Sequence, residues 1–269
     1  MSLLFPEKLS IHLAPGIVAV ARTKRHAIVQ SDARAVAADA DFGWRSLLEA
    51  LATLLDEYAD TPSVASVTLS SRLAPVAAMP WREDVTAPEP QALLAAARFA
   101  KAHGASAADW DGVAVANGFG RPWLAAGVRH EFIAALKSAL SIARLRPISI
   151  APLAVDLFNA YAASLPARGV AWLLVPEADR LVGWYCQGRV PQECLSLPLP
   201  TEGDESMNEL LRREAVLRGL PDTPATLFVT VSQPSGPLAE HNVQRLLPRW
   251  RCAPGITVTY PLHWLGGAR

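Results

Sequence analysis

Leu9-Ser10-Ile11-His12-Leu13-Ala14-Pro15-Gly16-Ile17-Val18-Ala19-Val20 reads as a strand, a tight turn and a second strand. The same arrangement returns near residue 170. Val170-Ala171-Trp172-Leu173-Leu174-Val175 leads through Pro176-Glu177-Ala178-Asp179 into Arg180-Leu181-Val182-Gly183-Trp184-Tyr185-Cys186-Gln187-Gly188-Arg189. Two such hairpins, each opening one half of a 269-residue chain, describe two lobes built to one plan. The boundary falls at 145–150, giving lobes at 1–145 and 146–269.

The material between the hairpins is mixed α/β. His26 to Gln30 suits a third strand. Trp44 to Tyr58 sets Leu47, Leu48, Leu51, Leu54 and Leu55 on one helical face. Val64 to Ser70 follows as a strand. Residues 80–90 are turn-rich, and a helix then runs from Pro90 to His103 with Gly104 closing it. Trp110–Ala116 and Trp123–Val128 read as a hairpin joined through Asn117-Gly118. Arg129–Leu145 reads as a helix, Pro147–Ile150 as a short strand and Ala151–Tyr161 as another helix. The second half continues with strands at 170–175, 180–186 and 189–198 and a helix at 203–218. A strand at Thr226–Val231, a helix at 236–247 and a strand at Ile256–Tyr260 close it.

Bulk properties narrow the function. Formal net charge is zero and 19% of residues are charged, so the basic surplus that nucleic acid demands is missing. Half of the residues are apolar, enough for two real cores. The three cysteines, Cys186, Cys194 and Cys252, form no C-x-x-C pair, which argues against a disulfide framework or a zinc site. The start, Met1 to Lys8, lacks the pattern of a signal peptide. No apolar run reaches membrane-spanning length. The expected location is the cytoplasm, peripheral to the inner membrane through a partner.

The segment Leu145-Arg146-Pro147-Ile148-Ser149-Ile150-Ala151-Pro152-Leu153-Ala154-Val155-Asp156-Leu157-Phe158, followed by the hairpin Trp172 to Arg189, resembles the entry into the second lobe of PilM. PilM is the actin-like protein of type IV pilus assembly. Glu202–Arg218 and Ile256–Leu262 resemble elements that follow in that family. The cytoplasmic domains of GspL secretion proteins are similar in layout. The resemblance implies an actin-like (ribonuclease H-like) two-lobe α/β fold with mixed sheets and reduced subdomains. It also implies a partner like the cytoplasmic tail of PilN, an anchored pilus or secretion protein, bound in a groove of the first lobe. Homo-oligomerisation is left open.

Active members of that fold place Asp and Gly in both hairpin turns, to orient metal-bound water and to let backbone N–H groups approach phosphate. This chain departs from that pattern. His12 and Ala14 fall at the first turn's Asp and Gly, before Gly16. Val175 and Glu177 fall at the second pair. The adenosine turn, Val229 to Gly236, holds one glycine, Gly236, and a proline. The sequence therefore reads as a scaffold with a degraded ATPase site, no catalytic residue, no cofactor and no metal. An alternative is an ATP-binding PilM-like protein in which Arg22 or Lys24 stands in for a missing lysine and Gly16 and Gly236 approach phosphate. A further alternative is an unrelated α/β enzyme. The six histidines show no H-x-x-x-H spacing, and Ser70, Ser71 and Ser232 sit in no G-x-S-x-G elbow. For partner contact, the Pro-rich loop with Met79, Trp81 and Arg82 is expected to be exposed, since tryptophan is enriched at interface hot spots.

Overall fold

The computed structural model describes residues 7–24, 27–36, 44–58, 64–104, 106–115, 118–177, 180–198, 207–220 and 225–228. Gly236, the 236–247 helix, the 256–260 strand, Asn117 and Cys252 lie outside them. The described chain forms two compact units that change over between Asp156 and Leu157.

In the first unit, β1 (Lys8–Ala14), β2 (Ile17–Lys24) and β3 (Ala27–Ala35) form an antiparallel meander, and β4 (Val64–Leu69) and β8 (Arg146–Pro152) add in parallel. The sheet order is β3-β2-β1-β4-β8. Strand alternation sends Leu9, Ile11 and Leu13 of β1 to one face, where they meet the leucines of α1 (Trp44–Asp56) and Phe132, Ile133, Leu136 and Leu140 of α3 (His130–Ile142). Lys8, Ser10 and His12 take the other face.

A three-stranded antiparallel sheet also belongs to this unit. Its order is β5 (Val76–Met79), β7 (Trp123–Arg129), β6 (Trp110–Val115). The helix α2 (Pro88–His103) packs on one of its faces. Two glycines let it come close. A Cβ at Gly112 would meet the Ala92 carbonyl oxygen at 2.4 Å, and one at Gly127 would meet the Phe99 ring at 2.3 Å. Gly104 ends α2 in the left-handed conformation, φ 64°.

The second unit repeats the meander. β9 (Val170–Glu177), β10 (Arg180–Gln187) and β11 (Val190–Pro198) are antiparallel, and β12 (Ala225–Phe228) joins β9 in parallel after α5 (Met207–Leu217). The order β11-β10-β9-β12 matches β3-β2-β1-β4 strand for strand. Trp172, Leu174, Leu181, Leu195 and Leu197 pack with Leu210, Leu211 and Ala215 of α5. The unit also holds most of α4 (Leu153–Tyr161), where Phe158 meets Trp184 edge-on at 6.1 Å.

Candidate functional site

The first hairpin turn is Pro15-Gly16, with Ala14 paired to Ile17. Proline fixes the first turn position near φ −65°, and Gly16 takes φ 84°, the combination of a type II turn. Two backbone carbonyls at and beside it are bonded within the protein. The Gly16 carbonyl accepts from the Val36 N–H at 2.9 Å, and the Leu13 carbonyl accepts from the Ser70 N–H at 2.8 Å. Pro15 has no N–H to offer a phosphate.

His12 sits three residues before this turn, between Ala19 of β2 and Thr68 of β4. Its ring is buried. Burial pushes the imidazole down to about 4, and a hydrogen bond with the Thr68 backbone works weakly against that shift. The ring is neutral at pH 7, so it lacks the charge of the carboxylate expected at this place in an active site. A pH dependence follows. The unfolded chain takes up the proton near pH 6.5 and the folded chain only near 4, so the stability supported by neutral His12 is complete above pH 6.5 and is lost as pH falls towards 4. The difference amounts to about 3 kcal/mol. Urea melts from pH 7.5 to 4 should show it, and His12→Leu should flatten the slope between pH 6.5 and 4.

Behind His12 lies a polar group that sequence reasoning missed. The Thr68 hydroxyl donates to Asp156 Oδ2 at 2.6 Å. Burial raises the Asp156 carboxyl above the usual carboxylate range, with Thr68 and the charge of Lys8 pulling the other way. Burial lowers Lys8 in turn. Thr68 and Asp156 are 88 residues apart, and no local pattern marks them as neighbours.

In the second turn, Val175 is buried against Val182 across the hairpin, and Glu177 pairs with Arg180. The Glu177 side chain is only 3% exposed. Its charge reaches Cys194, whose thiol is pushed up to about 12 by burial first and by Glu193 and Glu177 after that. The Glu177 carboxyl is therefore enclosed by the protein at the end of β9. Ala178 and Asp179 lie outside the described residues.

Arg22 and Lys24 do not serve the first turn. Both bind Glu7, with Arg22 Nε at 2.8 Å and Lys24 Nζ at 2.6 Å. Lys24 ends β2, about 23 Å from its Ile17 end at the usual rise per residue. The strand that starts at the turn carries these cations away from it.

The segment singled out for partner contact is split by the fold. Met79 ends β5 opposite Trp123 and is buried in the small sheet's core, so its side chain faces inward. Trp81 is half-buried, tilted on Phe119 at 5.2 Å and edge-on to Trp123 at 6.0 Å. Arg82 is exposed and paired with Asp84, Nε to Oδ1 3.0 Å.

The same unit holds a cleft of about 440 Å³ where α3 begins, lined by Trp44, Arg72, His103, Trp110, Arg129 and Phe132 among others. The Arg129 guanidinium lies 4.9 Å over the Trp110 indole, and His103 stacks on that indole at 5.0 Å. Burial and the Arg129 charge lower His103. Asp109, which completes a capping box with Ser106, and Glu131 also line the cleft. Basic, acidic and aromatic groups together suit a peptide better than a polyanion. Among the described residues no cluster of metal-binding side chains occurs and no helix is long and apolar enough to cross a membrane.

Comparison with solved structures gives the fold its place. The cytoplasmic domain of EpsL, an inner membrane component of the type II secretion system of Vibrio cholerae, superposes with a TM-score of 0.52 at 13% identity, over 96% of this chain and 92% of that one. A Bacteroides thetaiotaomicron protein with an actin-like ATPase fold superposes at 0.57 with 9% identity, over 86% and 83%. The fold is actin-like. The PilM-PilN type IV pilus biogenesis complex matches at 0.51 with 16% identity, over 72% of this chain and 62% of that one. No protein-family model matches the actin-like chain, and no curated protein sequence does. At 13% and 16% identity, its likeness to the EpsL domain and to PilM is one of fold.

Proposed function

We propose that the chain is a non-catalytic actin-fold scaffold, a pseudo-ATPase of a type IV pilus or type II secretion-like machine. It works at the cytosolic face of the inner membrane and grips a membrane-anchored partner. One observation supports the reading: His12, neutral, and Glu177 are both buried, each in its own hairpin, at the positions that the resemblance assigns to metal and phosphate in active members. Two like charges 4 Å apart oppose each other by about 4 kcal/mol at an effective dielectric near 20. Micromolar affinity is worth about 8 kcal/mol, so repulsion of that size leaves only millimolar binding.

The likeness to the EpsL domain and to PilM supports a place in such a machine. The partner reading rests on the first lobe. Its cleft of aromatic and charged side chains fits an extended tail like that of PilN, bound with backbone hydrogen bonds. Trp81 and Arg82 are the members of the singled-out segment available at the surface. The lobes at 1–145 and 146–269 remain the proposed functional division.

Calorimetric titration with magnesium-ATP tests the first part. No saturable heat is expected up to about 1 mM ligand. Micromolar binding would overturn the pseudo-ATPase reading and favour the ATP-binding alternative.

A further inference from the structure

Among the described residues, the three-stranded sheet has one covered face and one that is bare along β6 and half-buried along β5 and β7. α2 lies on the first. The second carries Val76 and Ala78 of β5, Leu124 and Ala126 of β7, and Val113 and Val115 of β6, which the register sets in adjoining rows. Val113 is 60% exposed and Val115 61%. Among the described residues β6 pairs with β7 alone, and no strand pairs with its outer edge. Natural edges are usually blunted by lysine, proline or a bulge. Trp110-Asp111-Gly112-Val113-Ala114-Val115 contains none of these and pairs with β7 in unbroken register.

Charge marks the two ends of this edge differently. Asp109 and Asp111 stand at its start, and Arg121 stands in the exposed loop that follows its end. Arg129 approaches Asp109 at 3.9 Å and His130 approaches Asp111 at 3.1 Å, yet the acids keep 55% and 49% of their side-chain surface in solvent.

We propose that β6 is the seam of a homodimer, in which two copies pair β6 antiparallel across a two-fold axis and join their small sheets into one of six strands. A two-fold axis uses the same patch on both copies. With the axis at Val113, Asp111 faces Val115 of the second copy, and the acidic start of each edge lies beside the Arg121 end of the other. Parallel pairing would set Asp111 against Asp111, a destabilising arrangement of like charges. The antiparallel pair also runs the two Val113–Val115 stripes together on the bare face.

Sedimentation velocity of the full chain tests this. The wild type is expected to be a dimer at micromolar concentration, and Val113→Lys should weaken it at least about tenfold with an unchanged circular dichroism spectrum and melting temperature. Asp111→Arg and Arg121→Asp alter exposed groups and carry the test independently of any folding defect at Val113. Each alone should weaken the homodimer about tenfold, and an equimolar mixture of the two should form a heterodimer of near wild-type affinity. A wild type that stays monomeric to about 100 µM overturns the proposal, including the case where the edge serves a different protein. So does a dimer indifferent to Val113→Lys, or single reversals that mixing does not rescue.

Discussion

Gly183→Ala is expected to cost the second unit at least about 3 kcal/mol, read as a fall in the urea midpoint followed by tryptophan fluorescence. Gly183 lies in the middle of β10, between Leu174 of β9 and Leu195 of β11. A Cβ there would stand 1.9 Å from the Leu173 carbonyl oxygen and 2.9 Å from its carbon. These are backbone atoms, so no rotamer change relieves the overlap and β9 itself must move. β9 carries Trp172 and Leu174, which form the core with Leu181, Leu195 and α5. Displacing it loosens the whole packing and with it the hairpin that ends in Glu177. An alanine variant as stable as the parent would mean that β9 and β10 are not in this register.

His12→Asp gives the second large effect. It introduces the residue type that the resemblance implies for this position in active members, yet it should bring no nucleotide binding and should destabilise the fold by about 3–5 kcal/mol. The cost comes from placing a carboxylate in a site that holds a fully buried, neutral imidazole. The absence of gain comes from Pro15, which offers no N–H to a phosphate. Urea melts at pH 7 and at pH 5 distinguish the terms. The penalty should shrink at pH 5, where a buried aspartic acid keeps its proton more readily. A variant that is both stable and binds ATP in the micromolar range would sink this account of the site.

The sequence carried the fold wherever local pattern and tertiary pairing agree. The β1–β2 and β9–β10 hairpins fall where strand, turn and strand were read, and α1 follows the leucine spacing of residues 47–55. Agreement fails where pairing alone makes the element. β3 extends to Ala35, well beyond Gln30, because its polar end is held by distant partners: Asp32 accepts from the Tyr58 hydroxyl at 2.6 Å, and Arg34 pairs with Glu57. β5 is four residues long and is a strand only by virtue of β7 beside it. The site shows the same division. The strand positions of His12, Ala14, Val175 and Glu177 follow from sequence because a hairpin numbers its own positions. Met79 reads as a loop residue in sequence, and only pairing with Trp123 turns it inward. The Thr68–Asp156 contact and the cleft lined by residues 44, 72, 103, 110 and 129 bring together parts of the chain that share no local signal.

The duplicated meander has a consequence for how such a protein can change. Each hairpin is anchored by the apolar side of its strands, buried against helices. Residues near a tip that are themselves buried, His12 and Glu177 among them, are tied to that anchoring, and only the exposed ones can change their chemistry at no cost to the scaffold. Each half of the molecule thus keeps its outline through its own core, and change there is confined to side chains that the core does not touch.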